Sequence, residues 1–340
     1  MVDLIHIGDY KTGTTWWQHF GYSYHPEIYY LDNPKKHIDI VALLNALVLK
    51  RDLDFDAEYF RDKFADLFNN IYCGEKKTVI CRELLSGKFV TGDHARRNAM
   101  RLFSVFEGAK ILIVVREQFS MLKSMYSQYV KMGGTLPIYE FVYDPIVSPG
   151  LLERLKYHKI IDTYVELFGR ANVKIGLFNE FIQDKSLFAR EVYEFIGVST
   201  NVTLPSENYV NRSLRLPIIT LLRYINRFRR TEYNPSQKLF PIENVISLLL
   251  PDRVKKRLII DVGNHLIYNM HEPNEKFILK YCVNQIISQK IAGLAEKIQI
   301  GPRVHLPIRV SQELDDEFIA SNRILRDRYG LDVGQHGWKL

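Results

Sequence analysis

The stretch HIGDYKTGTTWWQHF (residues 6–20) joins an apolar run to a glycine-containing turn and to a segment that opens with two threonines. The pattern predicts a strand that ends at Gly8, a turn over residues 9–13 and a helix that begins at Thr14. Backbone N–H groups and the positive end of the helix dipole converge on such a turn. The stretch therefore predicts a binding site for an anion, of which phosphate is the commonest.

The side chains of this turn suit a phosphate group. Gly13 lets the backbone approach the ligand closely, and Lys11 supplies a mobile positive charge. Thr14 and Thr15 add hydroxyl donors at the start of the helix. The turn thus contains both the backbone and the side-chain groups that an anion requires.

The loop departs from a nucleotide-triphosphate site in two ways. Gly8 and Gly13 keep the spacing of a Walker A loop, G-x-x-x-x-G-K-S/T, but Thr14 stands where the lysine is expected. The later apolar run KILIVVR ends in Arg116, where a magnesium-binding acid would be expected. These departures favour a phosphate ligand held by cations rather than by magnesium.

Four runs rich in β-branched residues read as buried strands, at residues 2–8, 77–82, 110–116 and 173–178. Helical patterns lie between them. Continuous apolar strands that alternate with helices predict an α/β protein, a P-loop-like three-layer fold whose central parallel sheet is flanked by helices. Ligands of such a fold gather at the carboxyl ends of the strands.

After Gly197 the pattern becomes helical and rich in Arg and Lys, with helices expected in residues 211–230, 243–260 and 276–298. A last helix over 311–330 opens with Ser311 as its cap and ends at Gly330. We expect a single domain over 1–340, with an α/β core (1–200), a helical extension (201–310) and a C-terminal helix and tail (311–340).

Charge and cysteine content limit the function classes. Lys and Arg number 46 against 39 Asp and Glu, and the pI is about 9.1, so an anionic ligand or surface is an expected partner. Cys73, Cys81 and Cys282 have no metal-ligand spacing, which argues against zinc and against a disulfide framework. With neither a signal peptide nor a membrane span in the sequence, we expect a soluble, cytoplasmic protein.

Two motifs resemble those of the sulfotransferases that use 3′-phosphoadenosine 5′-phosphosulfate (PAPS). YKTGTTWW (residues 10–17) resembles their 5′-phosphosulfate loop, usually Y-P-K-x-G-T-T-W, and differs at Asp9-Tyr10, where Tyr-Pro is usual. VVREQFSMLKSMYSQYVKMG (114–133) resembles their 3′-phosphate motif, in which a Ser follows a strand-ending Arg by eight residues, as Ser124 follows Arg116. Residues 173–198 are similar to the strand, acidic turn and helix that follow in many sulfotransferases, and residues 319–333 resemble a common ending of bacterial members. The chain is identified as similar to bacterial members of the carbohydrate-sulfotransferase type.

The resemblance implies PAPS as the cofactor, adenosine 3′,5′-bisphosphate (PAP) as the product and no metal. It implies that Lys11 also stabilises charge on the leaving phosphate, and that Trp16 packs either on the adenine or in the core. The cofactor-binding residues that it implies are Lys11, Thr12, Gly13, Thr14, Thr15, Trp16, Arg116 and Ser124.

The acceptor must lose a proton, and the sequence leaves the base open. Glu83 follows the second predicted strand, a position where family members commonly place a catalytic His or Glu. His37 is the alternative, because the carbohydrate-modifying branch often has a catalytic Glu in a Lys-Glu pair where this chain has Lys36-His37. His94 is a more remote candidate. Glu180 is expected to act as a turn residue or helix cap.

The acceptor is expected to be a small molecule, glycan or glycolipid with a hydroxyl or amine, bound by the helical region 201–310. Residues 212–230 form a basic amphipathic helix that either packs on the core, guides an anionic glycan or contacts a membrane surface. Its apolar residues are Ile218, Leu221, Leu222, Ile225 and Phe228. No nucleic-acid partner is expected, and the oligomeric state is open.

Two other function classes remain as alternatives. A P-loop nucleotide or small-molecule kinase would use ATP and magnesium, and it requires an acidic metal ligand. A non-catalytic protein would keep the anion loop without a working base.

Overall fold

The computed structural model describes residues 2–34, 36–71, 74–205, 214–228, 231, 233–234, 290–291 and 293–340. The chain forms two compact units. The first consists of Met1–Met121, Gly150–Tyr209 and Gln312–Leu340, and the second of Leu122–Pro149 and Val210–Ser311. The single-domain organisation inferred from the sequence stays a prediction.

The first unit contains a five-stranded sheet in which every neighbouring pair is parallel. Its strands are β1 (Leu4–His6), β2 (Ile28–Tyr30), β3 (Lys77–Cys81), β4 (Lys110–Val115) and β5 (Val173–Leu177). The spatial order is β2-β3-β1-β4-β5. All four predicted strands are confirmed, whereas β2 was missed because its sequence, Ile-Tyr-Tyr, contains only one β-branched residue.

Helices of the first unit flank this sheet, and the predicted α/β fold class is confirmed. The described helices of both units are α1 (Thr14–Trp16, continued by π-helical Trp17–Gly21), α2 (Ile38–Leu49), α3 (Ala57–Asn69), α4 (Ala95–Phe106), α5 (Gln118–Lys131), α6 (Ile138–Tyr143), α7 (Leu151–Arg154), α8 (His158–Phe168), α9 (Phe178–Gln183), α10 (Lys185–Ile196), α11 (Leu216–Arg227) and α12 (Ile308–Tyr329).

The central strand β1 pairs with β3 on one side and β4 on the other, so that Ile5 lies opposite both Ile80 and Ile111. Side chains alternate between the two faces of the sheet. Leu4 and Leu112 face a core cluster that contains both tryptophans of α1 and its π-helical continuation. The alternate residues of β1 and β4 face the opposite side, and burial on both sides explains why these strands read as continuous apolar runs.

The C-terminal helix is present, but its predicted start is wrong. α12 begins at Ile308, and Ser311 lies within its first turn, where the Ser311 hydroxyl donates to the Pro307 carbonyl at 3.3 Å. The Ser311 N–H also donates to Pro307, so the helical ladder begins there and leaves no capping role for Ser311. The predicted end is confirmed, since Gly330 follows Tyr329 with φ of 69°.

In the second unit, α11 confirms the predicted basic helix but buries a different stripe. Ile219, Leu222 and Asn226 are buried, whereas Leu221 and Phe228 are 54% and 53% exposed. Asn226 Nδ2 donates to the backbone carbonyls of residues 130 and 134 at 2.8 and 3.0 Å. A buried amide that finds two acceptors thus fixes the helix face more than the apolar pattern does.

Several expectations fall on residues that the structure does not describe. They are the helix over 243–260, most of the helix over 276–298, and the two cysteines Cys73 and Cys282. Among the helices that are described, none has both the length and the hydropathy needed to cross a membrane.

Candidate functional site

The loop between β1 and α1 contains three residues with left-handed backbone. Gly8, Lys11 and Gly13 have φ of 64°, 67° and 88°. For a lysine this conformation costs about 1–2 kcal/mol, so the surroundings must hold it in place. A side chain at Gly13 would put Cβ 2.6 Å from the Phe181 ring, which explains the glycine there. The predicted helix start at Thr14 is confirmed.

Threonine hydroxyl groups form hydrogen bonds within the loop. Thr12 Oγ1 donates to the Asp9 carbonyl at 2.6 Å and accepts from the Asp9 N–H at 3.2 Å. Thr14 Oγ1 lies 3.3 Å from the same carbonyl, and Thr15 is half-buried. These bonds give Thr12 and Thr14 a structural role, while their binding of a phosphate stays a prediction.

The unusual Asp9 of this loop is neutralised by Arg154, at the end of α7. The two side chains are 12% and 6% exposed and form an ion pair. Arg154 Nη1 also donates to the Lys88 carbonyl at 2.6 Å, and the guanidinium lies over the ring of Tyr10 at 5.7 Å. A buried carboxylate thus has a buried cation as its partner, which fixes one side of the loop.

Arg116 holds the other side of the loop. It follows the last residue of β4, and its Nη1 donates to the Lys11 carbonyl at 3.0 Å. Its Nε donates to Ser120 Oγ at 2.9 Å, and its guanidinium lies 4.8 Å from the centroid of the Phe178 ring. Burial lowers the pKa of this guanidinium, yet an arginine keeps its charge. The structure therefore joins Arg116 to the backbone of Lys11, two residues that were selected from separate motifs.

Glu83 lies beside the same loop. It opens a short 3₁₀ turn (Glu83–Ser86) after β3, and its carboxyl hydrogen-bonds the Thr14 side chain. Burial raises the pKa of Glu83, while the charge of Lys11 and the hydrogen bond from Thr14 oppose that rise. A carboxylate next to the loop cation, with a raised pKa, has the properties of a general base.

His37 lies elsewhere along this edge, at the start of α2. Its ring packs 5.4 Å from the ring of Tyr29, and its backbone N–H donates to the Asn33 carbonyl. Burial, followed by the charge of Lys36, lowers the pKa of His37, so its ring is neutral near pH 7. Its Nε2 has no hydrogen-bond partner among the described residues. Its role as the base stays a prediction.

Two further cofactor-binding candidates, Trp16 and Ser124, are both buried. Trp16 is 5% exposed and packs against Trp17, Phe20 and Phe181, so it contributes to the core, and its packing on an adenine stays a prediction. Ser124 is buried in the second turn of α5 and belongs to the second unit, so its phosphate contact is likewise untested.

The structure also gives the surroundings of His94, Cys81 and Glu180. His94 is exposed at the N-terminus of α4. Cys81 is fully buried, as expected for a strand residue, and Glu180 accepts from the Leu177 N–H at 3.3 Å, as expected for a cap.

Sequence reasoning missed a second buried ion pair at this edge of the sheet. Arg82 Nη1 lies 2.5 Å from Asp32 Oδ1, and the two side chains are 18% and 1% exposed. Burial raises the pKa of Asp32 to about 6, although the charge of Arg82 opposes the rise. The sequence signals this pair only by placing Asp32 after β2 and Arg82 after β3. Because β2 was not recognised, that signal was missed.

We expect the Asp9–Arg154 pair to be worth far more than a surface pair. Arg154→Met leaves a buried carboxylate without a cation and should lower the free energy of unfolding by about 3–5 kcal/mol. The double variant Asp9→Asn/Arg154→Met should recover most of that loss. Urea unfolding measures both, with Lys88→Met in the exposed Lys88–Asp93 pair as the control, expected to cost under about 1 kcal/mol. A loss for Arg154→Met no larger than the control would contradict this account.

Asp32 should make stability depend on pH. Its pKa is raised from 3.8 to about 6, so the folded chain binds this proton more tightly than the unfolded chain. The free energy of unfolding, taken relative to Asp32→Asn, should therefore fall as pH rises from about 4 to about 6, by roughly 2–3 kcal/mol at about 1.36 kcal/mol per pKa unit. Urea titrations across this window measure it, and the opposite slope would mean that Arg82 outweighs burial.

Comparison with known proteins gives a distant structural likeness. No family model matches the sequence, and no curated protein matches it. Among solved structures, a sulfotransferase from Alicyclobacillus acidocaldarius is similar at 18% identity with a TM-score of 0.46, over 81% of this chain and 98% of that chain. A likeness at this level carries no argument about activity.

Proposed function

We propose that the chain is a sulfotransferase that transfers a sulfuryl group from PAPS to a hydroxyl or amine and releases PAP. The observation that carries this proposal is one assembly of three groups at the carboxyl edge of the sheet. Arg116 donates to the Lys11 carbonyl, and Glu83 lies within the electrostatic reach of Lys11 while bonding Thr14. Two cations and a carboxylate around one helix N-terminus suit the transfer of an anionic group to a nucleophile.

The residues present fit a phosphosulfate group better than a magnesium nucleotide. β4 is followed directly by Arg116, a cation, and the first turn of α1 contains no acid. In the part of the chain that the structure describes, no three His, Cys, Asp or Glu residues cluster as metal ligands. Lys11, Arg116 and the loop N–H groups would hold the phosphate ends of the cofactor.

The chemistry of PAPS, when bound, is an S–O bond that breaks as charge accumulates on the leaving phosphate oxygen. Lys11 would stabilise that charge, because its backbone is already fixed by Arg116 and needs no reorganisation. Glu83 would accept the proton of the acceptor hydroxyl, since burial makes its carboxylate more basic. Arg116 would bind and orient rather than act on the reacting atoms.

The class of acceptor is part of this proposal. We infer a carbohydrate or glycolipid from the overall resemblance to bacterial members of the carbohydrate-sulfotransferase type. The loop and the 3′-phosphate motif support the donor rather than the acceptor.

Titration calorimetry with PAP tests the donor site. We expect micromolar binding that needs no magnesium and that weakens at least tenfold in Arg116→Ala, because the guanidinium would lose its phosphate contact. Lys11→Ala should change PAP affinity less and should mainly lower turnover. Preference for ATP with magnesium would overturn the proposal in favour of a kinase. Equal effects of the two variants on binding and on turnover would contradict the roles assigned to Lys11 and Arg116.

The identity of the base follows from a matched pair of variants. Glu83→Gln should lower kcat by roughly 10²–10⁴-fold, the usual contribution of a general base, and leave PAP affinity within about threefold. His37→Ala should leave kcat within about threefold. Radiolabelled sulfate transfer measures both. The reverse result would assign the base to His37, and two unaffected variants would exclude both assignments.

A further inference from the structure

A cleft of about 560 Å³ lies on the side of the sheet opposite α1, entirely within the first unit. Its floor contains Ile7 of the loop and Ile113 and Val115 of β4. These residues alternate with Leu112 and Val114, which face the core cluster around the tryptophans. Residues of α4 and α8 form its walls. Its volume is that of an ordinary small-molecule site.

One end of the cleft lies beside the proposed base. Gly8, Asp9 and Ser86 line that end. Ser86 Oγ donates to the Glu83 carbonyl at 2.8 Å, and a Cβ placed on Gly8 would lie 3.5 Å from the Cα of Glu83. Glu83 itself does not line the cleft, but a molecule that fills it would have one end next to Gly8, close to the backbone of Glu83.

The charges around the cleft compensate one another. Four basic and five acidic residues line it, in a chain whose formal net charge is +7. Glu153 pairs with Lys156 at 2.7 Å and also with Lys159. The guanidinium of Arg154 is neutralised by Asp9. A cleft with this balance gives no net attraction to a polyanion.

At the Gly8 end of the cleft, one buried polar atom has no hydrogen-bond partner among the described residues. Arg154 is 6% exposed, yet its Nε has no hydrogen-bond partner among the described residues. Such an orphaned buried donor costs free energy unless a ligand or water supplies an oxygen. Thr163 and Thr91 add hydroxyl groups to the walls above the apolar floor.

We propose that this cleft binds the acceptor, and that the acceptor is a neutral amphipathic alcohol such as a glycoside with an apolar aglycone. The proposal rests on the proposed function and names its substrate class. The apolar floor takes the aglycone, the hydroxyl-bearing walls bind the sugar, and the reacting hydroxyl lies at the Gly8 end beside Glu83. An anionic glycan fits this site poorly, because the acidic residues that line it outnumber the basic ones.

A filling variant tests the cleft directly. Thr163 is half-buried on α8, and among the described residues its hydroxyl bonds only the Lys159 carbonyl of its own helix, so Thr163→Trp should occupy the cleft with little other change. Thr200→Trp makes the same substitution at an exposed residue outside the cleft and serves as the control. Thermal unfolding checks that each variant folds, and Thr91→Trp on the facing wall is the second filling variant.

The probes are octyl β-D-glucoside below its micellar concentration and a heparin tetrasaccharide, with binding measured by saturation-transfer NMR and calorimetry. We expect the glucoside to bind the wild type and Thr200→Trp equally, and at least tenfold more weakly to either filling variant. PAP affinity should be the same in all four proteins. Sulfate transfer from radiolabelled PAPS to the glucoside should fall at least tenfold in the filling variants.

Two outcomes would overturn the proposal. Glucoside affinity that is unchanged in both filling variants, or binding of the heparin fragment alone, excludes the cleft as the site for a neutral acceptor. Absence of PAP binding in the wild type would overturn the proposed function and the acceptor role with it. The two failures are distinguishable, because glucoside binding would in that last case still be weakened by the filling variants.

Discussion

Parallel pairing of β1 with β3 on one side and β4 on the other places every group of the candidate site. The three strands end at the same edge of the sheet, and the residues that follow them are Gly8, Arg82-Glu83 and Arg116. A carboxylate and a cation that are 33 positions apart along the chain thus flank one loop. Because β1 is buried throughout and β3 and β4 are buried after their first residue, shifting any of them by one residue would exchange the side chains that pack on the two faces, which fixes the register and hence the site.

The loop itself is held from both sides by arginines. Arg116 donates to the Lys11 carbonyl, and Arg154 pairs with the Asp9 carboxylate. Between these anchors Lys11 keeps a left-handed backbone that an unrestrained lysine would leave. The strain is local, and the burial and hydrogen bonds around it compensate for it. Such a loop is preorganised, so binding an anion there would need little rearrangement.

The two faces of the sheet would then serve different parts of one reaction. The loop and Arg116 form the donor side, and the cleft between α4 and α8 forms the acceptor side in our proposal. Glu83 lies where they meet, bonded to Thr14 on one side and linked through its 3₁₀ turn to Ser86 on the other. Its raised pKa follows from burial, which removes most of the contact between the carboxyl and water.

The sequence by itself determined the elements whose signals are local. Apolar runs located four strands, a glycine-rich turn located the helix start at Thr14, and the ends of the strands selected Lys11, Glu83 and Arg116 as neighbours. Only the tertiary structure decided the rest. The partner of Asp9 is 145 residues away, the Asp32–Arg82 pair depends on a three-residue strand, and the buried stripe of α11 follows an amide rather than the apolar pattern. Periodicity records which face of an element is buried, but it does not record which distant charge or carbonyl that face will meet.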